Sequence, residues 1–278
     1  MTRLTLEPTP RSPPRPRADT RTHGGPGSMK LTVVGCSGSF PSVESACSSY
    51  LVEADGFRLL LDMGNGALGE LQRHTGLYDL DAIFLSHLHA DHCIDMTGYF
   101  VTRYYRHDGG RAPSLPVYGP EGTEERLGAA HAALPTPDAM SKVFDFHTLK
   151  AGTFEIGPFQ VRTERMRHPV ETYGIRLEHG GRTLTYSGDT GPCESLHKLA
   201  EDSDLFLCEA SFLHGKEDIP ELHLNGREAG EYAHRAGAGS LLLTHIPPWT
   251  DAQRNLRDAR EVFGGPVELA ARGAVHLV

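Results

Sequence analysis

The sequence has no run approaching the roughly 20 consecutive apolar residues that a membrane-spanning helix needs. Nor does it have an apolar leader of the secretory kind, so neither insertion nor export is expected. Cysteine is sparse. Cys36, Cys47, Cys93, Cys193 and Cys208 are odd in number, widely spaced and without a CxxC pair, which argues against a disulfide framework and for a reducing cytoplasm. Positive charge is also short: the chain carries a formal net charge of −9 at pH 7. Its first 28 residues hold five arginines against Glu7 and Asp19, a net +3, which leaves −12 for the remainder. A body that acidic repels a long polyanion unless it has a local basic groove, whereas a small anion held directly by cations is less affected. Nucleic acid is therefore a poor candidate partner. The glycine-rich stretch Gly35–Gly38 lacks the Lys and following Ser or Thr of a phosphate-binding loop and reads instead as a close backbone approach. There is no internal repeat.

Residues 1–28 hold six of the 19 prolines, interleaved with Arg, Ser and Thr. Such a composition buries too little apolar surface to offset the entropy of ordering, so a disordered tail is expected there. Met29 opens the strand pattern Lys30 to Val34 and is a candidate start of translation, with 29–278 as one folded domain. Apolar runs of strand length follow at Tyr50–Glu53, Arg58–Leu61, Ala82–Leu85, Val117–Tyr118, Phe159–Thr163, Thr172–Leu177, Thr183–Ser187, Leu205–Glu209 and Leu241–Thr244. Helical patterns cover Gly66–His74, Thr123–Ala133, Cys193–Ala200, Arg227–Ala236 and Ala252–Val262, the last with Thr250 as its N-cap. Hairpins, as at His179–Gly180–Gly181, alternate with βα steps, so the class is mixed α/β with substantial antiparallel sheet.

The segment SHLHADH, Ser86 to His92, directly follows the buried-strand run Ala82–Leu85. It sets His87, His89, Asp91 and His92 on one short turn. Imidazole and carboxylate suit Zn, Mn or Fe, and four such groups within six residues converge when the backbone loops around a small cation. Three further candidates end strand patterns and open loops: His168 before Pro169, Asp189 in SGDT, and His245 in THIP. Glu209 in CEAS and His223 in ELHLNG are candidates for an orienting carboxylate and a general acid.

The ordered set of Asp62 in LLDMG, SHLHADH, His168, SGDT and THIP resembles the metallo-β-lactamase superfamily, over essentially everything from Met29 onward. The resemblance implies an αββα sandwich in a single domain with metals at one edge. It also implies that His87, His89 and His168 hold one cation, that Asp91, His92 and His245 hold a second, and that Asp189 bridges the two. Asp62 would orient the ligand loop, and Asp91 belongs to the catalytic set with His223 and Glu209. Two divalent cations, Zn2+ foremost with Mn2+ or Fe2+ as alternatives, would sit about 3.5–4 Å apart and activate a bridging hydroxide.

The phosphodiesterase branch of that superfamily, which includes ribonuclease Z, has a His-Glu-Ala-Thr element where this chain reads Cys208-Glu209-Ala210-Ser211. The Glu is kept and the His is not. Ribonuclease Z carries a long arm between the metal-binding His and SGDT, but here only 20 residues, Pro169 to Gly188, separate His168 from Asp189. In its wording, from GCSGS through TYSGDTG and FLCEASF to LLLTHIPPWT, the chain is similar to actinobacterial metallo-β-lactamase-fold cyclic-nucleotide phosphodiesterases. That implies hydrolysis of 3′,5′-cyclic AMP to 5′-AMP, with a ribonuclease Z-like endonuclease or a lactone or thioester hydrolase as alternatives. A homodimer is expected by analogy. Tyr99, Phe100, Tyr104 and Tyr105, read as part of a loop Gly98–Arg111, are candidates to stack a base, and Arg103, Arg106 and Arg111 read as solvated.

Overall fold

The computed structural model describes residues 27–106, 113–132, 140–216, 219 and 222–278. The tail expected at 1–28 therefore falls almost wholly outside the described residues, as does Arg111. Fifteen strands and seven helices follow in the order β1 (Lys30–Ser37), β2 (Ala46–Cys47), β3 (Ser49–Ala54), β4 (Phe57–Leu61), α1 (Ala67–Leu71), β5 (Ala82–Phe84), α2 (Ala90–Cys93), α3 (Met96–Tyr104), β6 (Leu115–Gly119), α4 (Thr123–His131), β7 (Phe144–Thr148), β8 (Gly152–Ile156), β9 (Phe159–Arg165), β10 (Tyr173–His179), β11 (Arg182–Tyr186), α5 (Glu194–Ala200), β12 (Leu205–Glu209), α6 (Gly226–Arg235), β13 (Leu241–Thr244), α7 (Ala252–Val262), β14 (Val267–Leu269) and β15 (Val275–Leu277) among the described residues.

Two mixed sheets result. One runs β15-β1-β3-β4-β5-β6-β7 with β2 beside β1, and the other runs β14-β13-β12-β11-β10-β9-β8. Their strands alternate between two cores, because successive side chains leave a strand on opposite faces. Tyr50, Val52, Leu59, Leu61 and Phe84 of the first sheet meet Phe159, Ile175, Leu184, Tyr186, Leu205, Leu207 and Leu242 of the second. Their neighbours Leu51, Leu60, Ile83 and Leu85 pack outward on α1, α3 and α4. Phe206, Cys208, Leu241 and Leu243 pack outward on α5, α6 and α7. Strands buried on both faces are read as unbroken apolar runs, which is why the central ones are visible in the sequence. The architecture is the αββα sandwich expected above. Among the described residues no helix is long and apolar enough to cross a membrane.

The short edge strands β7, β8, β14 and β15 escape the sequence pattern, since they are partly exposed and carry few apolar residues. Three local readings are corrected. The Asp251 carboxylate, not Thr250, caps α7 by accepting from the Arg254 N–H at 3.0 Å; the Thr250 hydroxyl instead donates to the Ser211 carbonyl at 2.9 Å. The aromatic segment from Gly98 to Tyr104 lies in helix α3, where Tyr99 and Phe100 are core residues, so these two rings are closed to a base. Arg103 is buried, donating to the Pro113 carbonyl, and Arg106 lies over the Tyr78 ring at 4.1 Å; neither is simply solvated.

Candidate metal centre

The strand ends of both sheets open on the same edge, and the loops leaving them bring seven side chains together. His87 and His89 lie between β5 and α2, and Asp91 and His92 lie on α2 itself, so the ligand segment is a turn running into a short helix. His168 follows β9, Asp189 follows β11, and His245 follows β13. One nitrogen or carboxylate oxygen from each of His87, His89, His168 and Asp189 falls within a 4.8 Å group, and the same holds for Asp91, His92 and His245. A third such group overlaps both: Asp189, His223 and His245.

Asp189 reaches across. Its Oδ2 lies 3.6 Å from His87 Nε2, 4.0 Å from His168 Nε2 and 3.2 Å from His245 Nε2, while Oδ1 lies 3.2 Å from His92 Nε2. His245 Nε2 and His92 Nε2 each lie 3.7 Å from Asp91 Oδ2.

Backbone geometry makes the convergence possible. His245 itself takes a left-handed φ of 52°, which turns the chain sharply out of β13. A Cβ on Gly38 would come 2.5 Å from the His245 carbonyl oxygen, and one on Gly64 would come 1.9 Å from that of Asp91. Only glycine permits these two approaches, so Gly38, just past the end of β1, does serve to bring backbone close to the site.

Four of the five clustered imidazoles are oriented by the far nitrogen. Asp62, fully buried, accepts from the Ser86 N–H at 2.7 Å and from the Ser86 hydroxyl, His92 Nδ1 and the Tyr186 hydroxyl at 2.8 Å each. With its own proton committed to Asp62, Ser86 Oγ can accept from His87 Nδ1 at 3.1 Å. One carboxylate thereby sets the tautomers of two histidines, leaving both Nε2 lone pairs aimed into the cluster. His168 Nδ1 faces the Leu222 carbonyl at 3.3 Å, and His245 Nδ1 faces Ser48 Oγ at 2.8 Å. His89 is reversed: it presents Nδ1, 3.1 Å from His87 Nε2 and 3.2 Å from His168 Nε2.

Three imidazole nitrogens so close gain nothing from one another when their protons lie elsewhere; a shared cation resolves the conflict. Consistent with a cation site, His92 Nε2 and Asp189 Oδ1 are buried without a hydrogen-bond partner. Burial holds His87, His89 and His168 below the usual imidazole range, in the neutral form that ligates. His92 shifts the other way: burial opposes its charge, but Asp189 and Asp62 on either side outweigh that and favour a positive charge there. A proton and a ligated cation are electrostatic alternatives at that position. Asp189 also resists protonation, since burial disfavours its charge while His245, His92 and His87 favour it more strongly. The donor set is that of a divalent cation site.

Beside the cluster lies the pair from CEAS and ELHLNG. His223 Nδ1 meets Glu209 Oε1 at 2.9 Å. Glu209 is fully buried and also accepts from the Thr190 N–H at 2.6 Å and the Ser211 hydroxyl at 2.9 Å. Burial works against a charged His223, yet the Glu209 carboxylate and its hydrogen bond prevail and push the imidazole up to about 9. The His223 ring stands 5.3 Å from His168 and 5.8 Å from His245. Cys208 is buried in β12 behind Glu209, and burial pushes its thiol well up, which makes it an inert core residue.

The sequence model of the beta-lactamase superfamily domain matches residues 57–246, a span that contains every residue of the cluster. The chain belongs to that superfamily. It is 43% identical over 260 residues to an uncharacterized protein of Mycobacterium leprae, covering 90% of this chain and 89% of that one. It is 33% identical to the probable metallo-hydrolase YhfI of Bacillus subtilis, covering 89% of this chain and 99% of YhfI. The crystal structure of YhfI superimposes with a TM-score of 0.80 over 91% of this chain and 100% of that one. Ribonuclease Z of Myxococcus xanthus is more distant, 28% identical over 88% of this chain and 96% of its own. The protein is thus a metallo-β-lactamase-fold hydrolase, and its His/Asp cluster has the make-up of a divalent-metal site.

Sequence reasoning picks out the seven cluster residues together with Asp62, Glu209 and His223. It misses the side chains that orient them, Ser48, Ser86, Tyr186 and Ser211. Ser86, Tyr186 and Ser211 sit inside the quoted motifs and can be found there; Ser48, in the bend between β2 and β3, carries no local signal. In this hydrolase Asp62→Asn is expected to weaken metal binding about 10- to 100-fold, because an amide N–H would face groups that are themselves donors. Chelator competition, with circular dichroism to confirm folding, checks it; wild-type affinity in a folded variant would show that Asp62 does not orient the ligands.

Proposed function

We propose that this hydrolase cleaves a phosphodiester in a small nucleotide, with 3′,5′-cyclic AMP, converted to 5′-AMP, as the leading substrate. The observation that carries the reading is the His223–Glu209 pair at the edge of the cluster. Breaking the bond to a 3′ oxygen expels an alkoxide, which needs a proton. A thioester, whose leaving thiolate is far less basic than an alkoxide, makes less demand on such a donor. His223, held charged and oriented through Nδ1, leaves Nε2 as the proton-bearing nitrogen for that leaving oxygen.

His87, His89, His168 and Asp189 would hold one cation, and Asp91, His92, His245 and Asp189 a second, with zinc the first choice for so imidazole-rich a set. Bound divalent cations would acidify a water and offset charge on the phosphoryl oxygens. The chain supplies the rest. Asp62 and Ser86 keep the ligand lone pairs inward, Glu209 keeps the proton on His223, and Ser211 links the two halves, its single hydroxyl proton lying within reach of both Glu209 Oε2 and the His245 carbonyl.

A small substrate is favoured over tRNA by the hairpin between His168 and Asp189. β10 and β11 pair from Ile175–Tyr186 to His179–Arg182, so Gly180 and Gly181 alone make the turn and no arm projects. The test compares metal-loaded protein on 3′,5′-cyclic AMP and on a precursor tRNA at the same salt. The expected result is chelator-sensitive release of 5′-AMP with the tRNA uncut; cleaved tRNA with inert cyclic AMP would overturn the reading.

A further inference from the structure

Two large aromatic side chains stand in the open beside the cluster. Phe40 is 42% exposed and Trp249 is 69% exposed, and their rings contact each other with centroids 5.0 Å apart at 40°. Isolated exposed apolar residues are commonplace, but two in contact form a patch that usually has an occupant.

Both rings sit on loops that also build the cluster. Phe40 follows Ser39, whose N–H donates to Asp91 Oδ2 at 2.9 Å, and Trp249 lies four residues beyond His245. The two loops are joined to each other by a bridge between Ser37 and Ile246. Each is also braced internally. The Ser37 hydroxyl donates to the Phe40 carbonyl at 2.7 Å, and the Thr250 N–H donates to the Pro247 carbonyl at 2.9 Å, closing a turn around Pro248 and Trp249. Two consecutive prolines restrict that turn further. The rings are thus presented rigidly, so a planar ligand meets a platform that needs little ordering. An exposed aromatic ring such as that of Trp249, backed by Phe40 and placed beside a phosphate-directed cluster, matches a nucleotide, which is anionic at one end and aromatic at the other.

We propose that Phe40 and Trp249 form a stacking platform for the base of the nucleotide whose phosphate is held at the His/Asp cluster, an assignment that rests on the small-nucleotide reading above. It is separate from Tyr104 and Tyr105, the exposed members of the aromatic segment read at Gly98–Arg111. Stacking on π-faces tolerates any base, so the platform favours nucleotides as a class over base-free phosphodiesters.

Trp249 is the sole tryptophan, so its fluorescence reports the platform directly and independently of turnover. Metal-loaded protein is titrated with 5′-AMP and with ribose 5-phosphate, which keeps the sugar and phosphate but has no base. Saturable quenching by 5′-AMP alone is expected, with ribose 5-phosphate reversing it by competition. In parallel, Trp249→Ala should raise KM for cyclic AMP about 5- to 150-fold with little change in kcat, and Trp249→Phe should recover most of the loss. Equal quenching by both probes would overturn the platform. So would turnover of cyclic AMP with no quenching and an unmoved KM in Trp249→Ala, and in that case the phosphodiesterase reading stands alone. Quenching by 5′-AMP in a protein that hydrolyses no phosphodiester would support the platform and sink the catalytic reading.

Discussion

Replacing Asp189 with alanine is expected to abolish turnover and to leave the purified protein with less bound metal than wild type. Asp189 is the one residue whose two oxygens approach both ligand groups, Oδ2 toward His87, His168 and His245 and Oδ1 toward His92. If the two groups each hold a cation, as proposed, removing it would withdraw a ligand from both and the negative charge between them. Electrostatics sharpens the expectation. The cluster gathers five imidazoles around two carboxylates, Asp91 and Asp189, and losing one leaves a surplus of positive charge once cations bind. Metal analysis of the variant together with its rate on cyclic AMP checks the prediction. Wild-type metal content with no activity would mean that Asp189 acts in the reaction without bridging the cations.

Replacing His223 with alanine is expected to do the opposite to metal content: cations stay and kcat falls roughly 10²- to 10⁴-fold, as for loss of a general acid. The reason is the hydrogen bond from His223 Nδ1 to Glu209, which commits this ring to a carboxylate outside the ligand groups. The pH profile separates acid catalysis from simple positioning. A general acid works only while protonated, so kcat is lost as pH rises through its pKa. Glu209 is what raises the His223 pKa against burial, so Glu209→Gln should move that alkaline limb to lower pH. Cations seated nearby would lower the starting position of the limb without changing the direction of this shift. An unmoved limb in Glu209→Gln, or full activity in His223→Ala, would remove His223 from the role of acid.

Much of the site is legible in the amino-acid sequence because its densest part is local. SHLHADH packs four ligand groups into one turn after a strand, and spacing that tight has few other physical uses. His168, Asp189 and His245 are legible for a related reason. Each follows the end of a strand pattern, and strand ends on one edge of a sandwich open into loops on that edge. The aromatics resist the same treatment because core and surface rings look alike in sequence. Tyr99 and Phe100 obey a helical spacing that buries them on α3, whereas Phe40 and Trp249 fall in Gly- and Pro-rich loops where no periodicity assigns a face.

Local pattern suffices for the class of the fold, the His and Asp residues that gather in the cluster and the Glu and His beside them, since each of these follows from residue type, spacing and position at a strand's end. Which nitrogen each histidine turns inward, which carboxylate spans both groups, and which rings stay open to a base are contacts between segments far apart in the chain. Asp62 meets Tyr186 across 124 residues and Ser48 meets His245 across 197. Side-chain chemistry prescribes that such groups must find partners, but only the packing of the two sheets against each other selects which partners they find.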